Sequence, residues 1–345
     1  MTDIPRLHLR ETAEGVQVVV PYLPTTIKAE EMESSLRDLV DELVFEEELT
    51  NMTLWYYTAM ALSFSRHLEA STVIFDCMDE LSLFKGAPQS LLDMEAELLT
   101  RADVVYTGGH SLYEARKNSH HNIHPFPSSI DFQHFSQGRL ELAQPEDQKH
   151  IPHPRLGFYG VIDERFNIDL LAEMANLRPD YQFVIIGPVV KIDPETLPKN
   201  KNIHYLGRKD YHALPLYLAG WDCAIMPFAL NDSTKFISPT KTPEFLAAGK
   251  PVVSTSIRDV INPYGKVKLV YIADTAAEFV KSAQKAMEEK ASDKEWINRV
   301  DDFLSNNSWD LTFQKMAALE KDITRRTASS PVAAKPIPLS ASGMI

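Results

Sequence analysis

The chain has 345 residues, 44% of them hydrophobic and 24% charged, which is longer than one core usually organises, so two α/β domains of ordinary size are expected. Its 35 basic and 48 acidic residues give a formal charge of -13, which excludes bulk nucleic acid as the main partner and means that an anionic ligand needs local positive groups. No apolar run approaches the ~20 residues that cross a bilayer, the start MTDIPRLHLRETAEG lacks the pattern of a signal peptide, and the isolated Cys77 and Cys223 argue against a disulfide framework and for a reducing cytoplasm.

Short apolar runs rich in β-branched residues alternate with longer stretches of helical spacing, the pattern of βαβ units on a parallel sheet. In the first part, residues 16–20, 54–57, 73–76, 104–107 and 124–127 read as strands. Residues 91–99 (LLDMEAELL) have amphipathic helical spacing, and 111–117 follow a Gly108-Gly109 turn and open on a serine cap. The polar, proline-bearing segment 141–154 is the expected linker between domains. A second series follows, with strands expected at 156–159, 183–186, 203–206, 223–226, 251–254 and 269–272 and helices such as 169–176 and 211–219 between them. Both halves therefore read as doubly wound, Rossmann-like α/β domains, an N-terminal one over 1–148 and a C-terminal one over 149–326. Beyond Ala276 the chain reads as helices, the last over 309–325 with Leu311, Met316 and Leu319 on one face. From Thr327 the sequence is low in charge and rich in Pro, Ser and Ala, so 327–345 reads as a disordered tail.

The stretch SPTKTPEFLAAGKPVVSTS, residues 238–256, carries the most chemistry. A Ser-Pro turn leads into a helix closed by Gly249 and followed by a buried strand, which puts the turn at the carboxyl edge of a sheet, where ligands of open α/β folds bind. Lys241 falls in the first helical turn, a position that disfavours a cation unless an anion is near. Glu244, one turn on, can accept two hydroxyl donors from a ribose diol. The competing reading makes these a surface lysine and a salt-bridging carboxylate on an ordinary helix. In VIFDCMDEL, the carboxylates Asp76, Asp79 and Glu80 end a strand and are candidates for acid-base or acceptor-orienting work; a strand-end Asp that caps the next helix is the alternative. Gly108, Gly109 and His110 form a second strand-to-helix loop on the acceptor side. His120, His121 and His124 have no Cys or carboxylate to complete a ligand set, so no metal is expected. The aromatic run of residues 55–57 reads as core packing, with stacking on an acceptor sugar as the other possibility.

The string PTKTPEFLAAGKPVV resembles the donor-site signature of the retaining glycosyltransferases of the GT-B architecture, the large family four in particular. The likeness continues through GFYGVIDERF, IGP, HYLG, LPLYLAGWD and MPF, reaches RADVVYTG and PSSID in the first half, and covers roughly residues 16 to 325. FDCMDE and TGGHSLYEA resemble bacterial glycosyltransferases of cell-envelope and teichuronic-acid-type polysaccharide synthesis. The resemblance implies a donor-binding set of Gly160, Arg165, Gly187, Pro188, Ser238, Pro239, Thr240, Lys241 and Glu244, with Glu244 on the nucleotide ribose. It also implies a nucleoside-diphosphate sugar as donor, a glycan or lipid-linked acceptor, peripheral membrane association as an option, and neither cofactor nor essential metal. The chain departs from the pattern at Phe236, where many members carry an acidic residue that contacts the transferred sugar. It departs again at Val161 and Phe166, the places of a cationic pair, which leaves Arg165 with Lys241 as the expected charge clamp; a surface salt bridge of Arg165 with Asp163, Glu164 or Asp169 is the alternative. The usual opening strand and loop are missing before Val16, so the first domain reads as shortened at its N-terminal side, either because the true start lies upstream or because part of the acceptor domain has been lost. A sugar-nucleotide epimerase of the same architecture and a non-catalytic scaffold or regulator remain open as other readings.

Overall fold

The computed structural model describes residues 4–293 and 295–329. Two parallel sheets organise it. The first contains β3 (Thr53–Tyr56), β4 (Thr72–Cys77), β5 (Val104–Thr107) and β6 (Ile123–Pro125) in the order of the chain. The second contains β7 (Arg155–Tyr159), β8 (Gln182–Ile186), β9 (Ile203–Tyr205), β10 (Cys223–Met226), β11 (Val252–Ser254) and β12 (Val270–Ile272), in the order β12-β11-β10-β7-β8-β9. That reversal between β7 and β10 is the doubly wound arrangement. The first sheet shows no reversal, so its Rossmann-like character rests on parallel strands with helices on both faces. Period-two alternation divides its side chains. Phe75, Cys77 and Val105 pack with Leu91 and Leu98 of the helix Ser90–Arg101, while Ile74, Val104 and Tyr106 face Met316, Leu319 and Ile323 of the helix Trp309–Ser329. β7 and β10 are buried at every position, as strands covered on both faces must be.

The strand expected at 16–20 exists but lies elsewhere. Gln17–Tyr22 (β2) pairs antiparallel with Arg6–Glu11 (β1) in a separate ribbon, because a short β-branched run serves a hairpin as well as a sheet. The packing changes lobe earlier than the expected linker. Phe126 meets Tyr106 of the first sheet at 4.9 Å between ring centroids, whereas Ile130 and Phe135 already belong to the second core. Segment 141–154 is bound to the second lobe: fully buried Gln148 donates to Tyr217 O at 3.0 Å and accepts from Trp221 Nε1 at 2.9 Å. The last helix returns to the first lobe, with Tyr106 Oη donating to Met316 O at 3.2 Å. Of the tail expected at 327–345, the first three residues continue this helix and 330–345 lie outside the described residues. Among the described residues no helix is long and apolar enough to cross a membrane.

Candidate active site

The carboxyl ends of β7 and β10, where strand order reverses, face the first lobe across a cleft, and two glycine loops meet there. Gly160 and Gly187 have φ of +147° and +142°, values that side chains rarely adopt. Gly160 donates to Ile186 O and Gly187 to Gly207 O, both at 2.9 Å. A Cβ on Gly187 would stand 1.8 Å from the Gly160 carbonyl oxygen, and one on Gly160 would stand 2.3 Å from Lys241 Cε. The glycines therefore make room for the Lys241 side chain to lie over the end of β7. Pro188 O holds the same wall by accepting from Ile162 N at 3.0 Å.

Lys241 begins the helix Lys241–Ala247, which the buried Phe245, Leu246 and Ala247 anchor in the core. Thr240 precedes it without a side-chain hydrogen bond to the first turn, and Gly249, at φ +68°, ends it by donating to Leu246 O at 2.8 Å. Glu244 Oε2 accepts from Tyr159 Oη at 2.5 Å. Burial pushes the Glu244 carboxyl up to about 6, against the pull of the Tyr159 bond and of Lys241. Burial also holds the Lys241 ammonium below the usual lysine range, and Glu244 offsets part of this. Lys241 forms no salt bridge among the described residues, so the site contains a sequestered cation and a carboxylate with an oxygen to spare.

Arg165 forms the salt bridge to Asp163 that was the alternative to a free charge clamp. Its Nε and Nη2 donate to Asp163 at 3.0 and 2.7 Å, and its guanidinium lies 5.3 Å from the Phe84 ring centroid of the first lobe. The Asp163 carboxylate, two residues away, thus neutralises it and makes it a wall of the cleft, while Lys241 keeps its charge unpaired. Asp79 reaches this wall from the first lobe. Burial raises its carboxyl, and the charges of Arg165 and Lys241 offset part of the rise, so Asp79 lies within electrostatic reach of both cations.

Asp76 and Glu80 do not join it. Asp76 lies on the opposite face of β4, where Oδ2 accepts from Trp55 Nε1 at 3.1 Å, Oδ1 has no partner among the described residues, and burial lifts the carboxyl to about 6. One residue of strand alternation separates it from the cleft-side helix. Glu80 is locked to Arg116, whose Nε and Nη2 reach it at 2.9 and 2.5 Å and whose Nη1 holds Glu95 at 2.5 Å, so its task is to hold the loop. Trp55 and Tyr57 stack on each other at 6.4 Å, with Trp55 against Tyr106. His120 bonds the backbone at Asn122 and Ala102, and His124 bonds Asn122. Among the described residues no group of three or more His, Cys, Asp and Glu could hold a metal ion.

The two lobes also touch behind the loop that precedes Lys241. A Cβ on Gly109 would stand 2.3 Å from Asp259 Oδ2 and 2.7 Å from Ser238 Cβ, and Ser111 N donates to Asp259 Oδ1 at 2.9 Å. Gly108 is packed on the Met78 carbonyl. His110, Ser238 and Pro239 border a cavity of about 290 Å³ on this side. On the other side Ser233 Oγ donates to Leu83 O at 3.2 Å, and Phe236 packs against the core of the first lobe. The position expected to carry an acid is therefore an apolar bridge between lobes. Tyr159 and Asp259 are the site residues that sequence reasoning passed over; no local spacing links them to Glu244 or Gly109.

Residues 153–289 match the family described as glycosyl transferases group 1. TuaH of Bacillus subtilis (strain 168), named as a teichuronic acid biosynthesis glycosyltransferase, is 24% identical over 254 residues, 68% of this chain and 63% of its own length. The chain thus spans a little under two thirds of that relative. Sucrose-phosphate synthase from Thermosynechococcus elongatus superposes with a TM-score of 0.67 at 13% identity, over 93% of this chain and 86% of its own. Trehalose 6-phosphate synthase from Burkholderia multivorans gives 0.65 at 11% identity, over 95% and 90%. HepE of Anabaena in complex with UDP and glucose gives 0.61 at 14%, over 89% and 87%. These likenesses show the fold. The chain has the α/β GT-B fold, and its residues 153–289 match the glycosyl transferases group 1 family.

Proposed function

We propose that the chain is a glycosyltransferase that moves a sugar, with retention at the anomeric carbon, from a nucleoside-diphosphate sugar to a glycan or lipid-linked acceptor of cell-envelope polysaccharide synthesis. The observation that carries this reading is the unpaired, half-buried Lys241 beside the Tyr159-bound Glu244 at the switch point. Lys241 offers a positive charge for the diphosphate at the place where negative charge grows as the sugar leaves, and no metal is needed for that. Glu244 has one oxygen occupied by Tyr159 and one that can take a ribose hydroxyl. Asp79, within electrostatic reach of both cations from the other lobe, is the protein carboxylate best placed to meet an incoming acceptor. The likeness to family four and to TuaH supports retention and the cell-envelope role; Phe236 leaves the transferred sugar to be gripped by neighbours such as Thr240. Buried, free Cys77 and Cys223 fit a cytoplasmic setting, and a lipid-linked acceptor would bring the protein to a membrane surface.

The test is a calorimetric panel of UDP-, GDP- and dTDP-sugars on the wild type, Lys241→Met and Asp79→Asn, with transfer followed by product analysis. One nucleotide sugar is expected to bind the wild type and Asp79→Asn alike, to lose affinity at least tenfold in Lys241→Met, and to be consumed far more slowly by Asp79→Asn. Failure of every nucleotide sugar to bind ends the proposal. Binding without turnover on any acceptor turns it into the scaffold reading, which the apolar bridge at Phe236 favours.

A further inference from the structure

At the outer edge of the second sheet, away from the cleft, a cavity of about 640 Å³ opens between the turn before β12 and the helices Ala276–Ser292 and Trp296–Leu304. Five cations line it, Lys266, Lys268, Lys285, Lys290 and Arg299, around the indole of Trp296. Its two carboxylates are already engaged. Glu289 takes Lys285 at 3.5 Å and the Tyr271 hydroxyl, and Asp293 takes Arg299 at 2.8 Å. Lys266, Lys268 and Lys290 form no salt bridge among the described residues, on a chain whose formal charge is -13. Lys290 is the most sheltered of the three. It also lines an adjoining cavity of about 310 Å³ together with Lys250 and Arg139. Burial and the charge of Lys290 push the neighbouring Lys250 ammonium down to about 7, and burial lowers Lys290 itself. Lys250 and Lys290 crowd each other between the two adjoining cavities, with the charge of Asp222 offsetting part of the crowding, and the exposed Lys266 and Lys268 form no salt bridge among the described residues.

We propose that this cavity binds a phosphate-bearing anion, held by Lys266, Lys268 and Lys290 at a site separate from the donor cleft. A single carboxylate carries too little charge to answer three lysines, whereas a phosphate group offers two charges and several acceptors to point-like ammonium donors. The phosphate can come from a soluble ester or from an anionic lipid headgroup. Val267, 48% exposed between Lys266 and Lys268, gives the second source an apolar tip to insert. The inference does not depend on the donor reading.

Pyrophosphate titrated calorimetrically into the full chain separates the two sites. A binding event that survives Lys241→Met, and weakens at least tenfold in Lys290→Met and in the exposed double variant Lys266→Glu/Lys268→Glu, supports the site. Binding that those variants leave unchanged, or that only Lys241→Met removes, overturns it. Sedimentation with phosphatidylglycerol vesicles against phosphatidylcholine vesicles then assigns the source. Retention on the anionic vesicles alone, lost in the double variant and in Val267→Ser, assigns the lipid headgroup; pyrophosphate binding without vesicle binding assigns the soluble ester. Absence of both kinds of binding rejects the proposal.

Discussion

Glu244 is held where its charge is costly. Its carboxyl, ordinarily near 4.5, titrates at about 6 in the fold because burial outweighs the Tyr159 bond and Lys241. The folded chain therefore keeps a proton that the unfolded chain has already released, so stability falls as pH rises from about 4.5 to about 6. A shift of this size corresponds to about 2 kcal/mol withheld from the unliganded fold at neutral pH. Glu244→Gln is expected to raise the unfolding midpoint at pH 7 and to flatten that interval. It should also weaken nucleotide-sugar binding about tenfold or more, since an amide offers one acceptor where the carboxylate offers two. Thermal unfolding across pH 4 to 7 paired with calorimetry checks both; a lower midpoint with unchanged affinity refutes the assignment. Asp76→Asn is the matching control. Its carboxyl also titrates at about 6, so removing the charge should stabilise the chain at pH 7 in the same direction, yet leave donor affinity as it was, because it faces the last helix. Lys241 and Glu244 were legible in the sequence because they lie in one short run with the glycine and strand that orient them. Tyr159 was not, since 85 residues separate it from Glu244. Arg165 stood between two readings, a charge clamp and a salt bridge to Asp163, because a sequence does not decide between a neighbouring carboxylate and a ligand that is not yet bound.

At the scale of elements, the site depends on loops after β7 and β8 that touch backbone to backbone. Gly187 has no room for a side chain, with a Cβ placed 1.8 Å from the Gly160 carbonyl and φ at +142°. Gly187→Ala is expected to cost about 3 kcal/mol or more in urea unfolding, through strain and the parting of the two loops. Gly207 has φ +66° but nothing within 4 Å of a Cβ, so Gly207→Ala should cost only about 1 kcal/mol, the ordinary left-handed penalty. Equal costs would show that the close approach of the loops is not what Gly187 serves. The strand series of both sheets could be read from the sequence, because fully buried parallel strands appear as short apolar runs between turn signals. Their carboxyl edges followed from the direction of the chain. The assignment of residues 16–20 to that series failed because neighbours in a sheet are chosen by tertiary packing, and a β-branched run of five residues fits either partner.

The arrangement of the whole molecule was the least legible. The chain enters the second core near Ile130 and comes back to the first lobe with Trp309–Ser329, so composition alone put the seam in segment 141–154, which is polar but tied to the second lobe through Gln148. This double crossing makes lobe closure a property of contacts rather than of one flexible linker, and Gly109 is where it can be tested. Its Cβ would fall 2.3 Å from Asp259 Oδ2 and 2.7 Å from Ser238 Cβ, so Gly109→Val must push the first lobe off the loop that precedes Lys241. Lys241, Glu244 and Tyr159 all lie on the second lobe, and donor affinity is expected to stay within about threefold. Asp79 comes from the first lobe, and a displacement of about 1 Å between reacting groups is enough to lower turnover about a hundredfold. Small-angle scattering should register the opening as a larger radius of gyration. Donor binding lost together with turnover would mean that the first lobe shares in holding the nucleotide. Undiminished turnover with unchanged scattering would mean that the contact behind the loop that precedes Lys241 plays no part in closing the cleft.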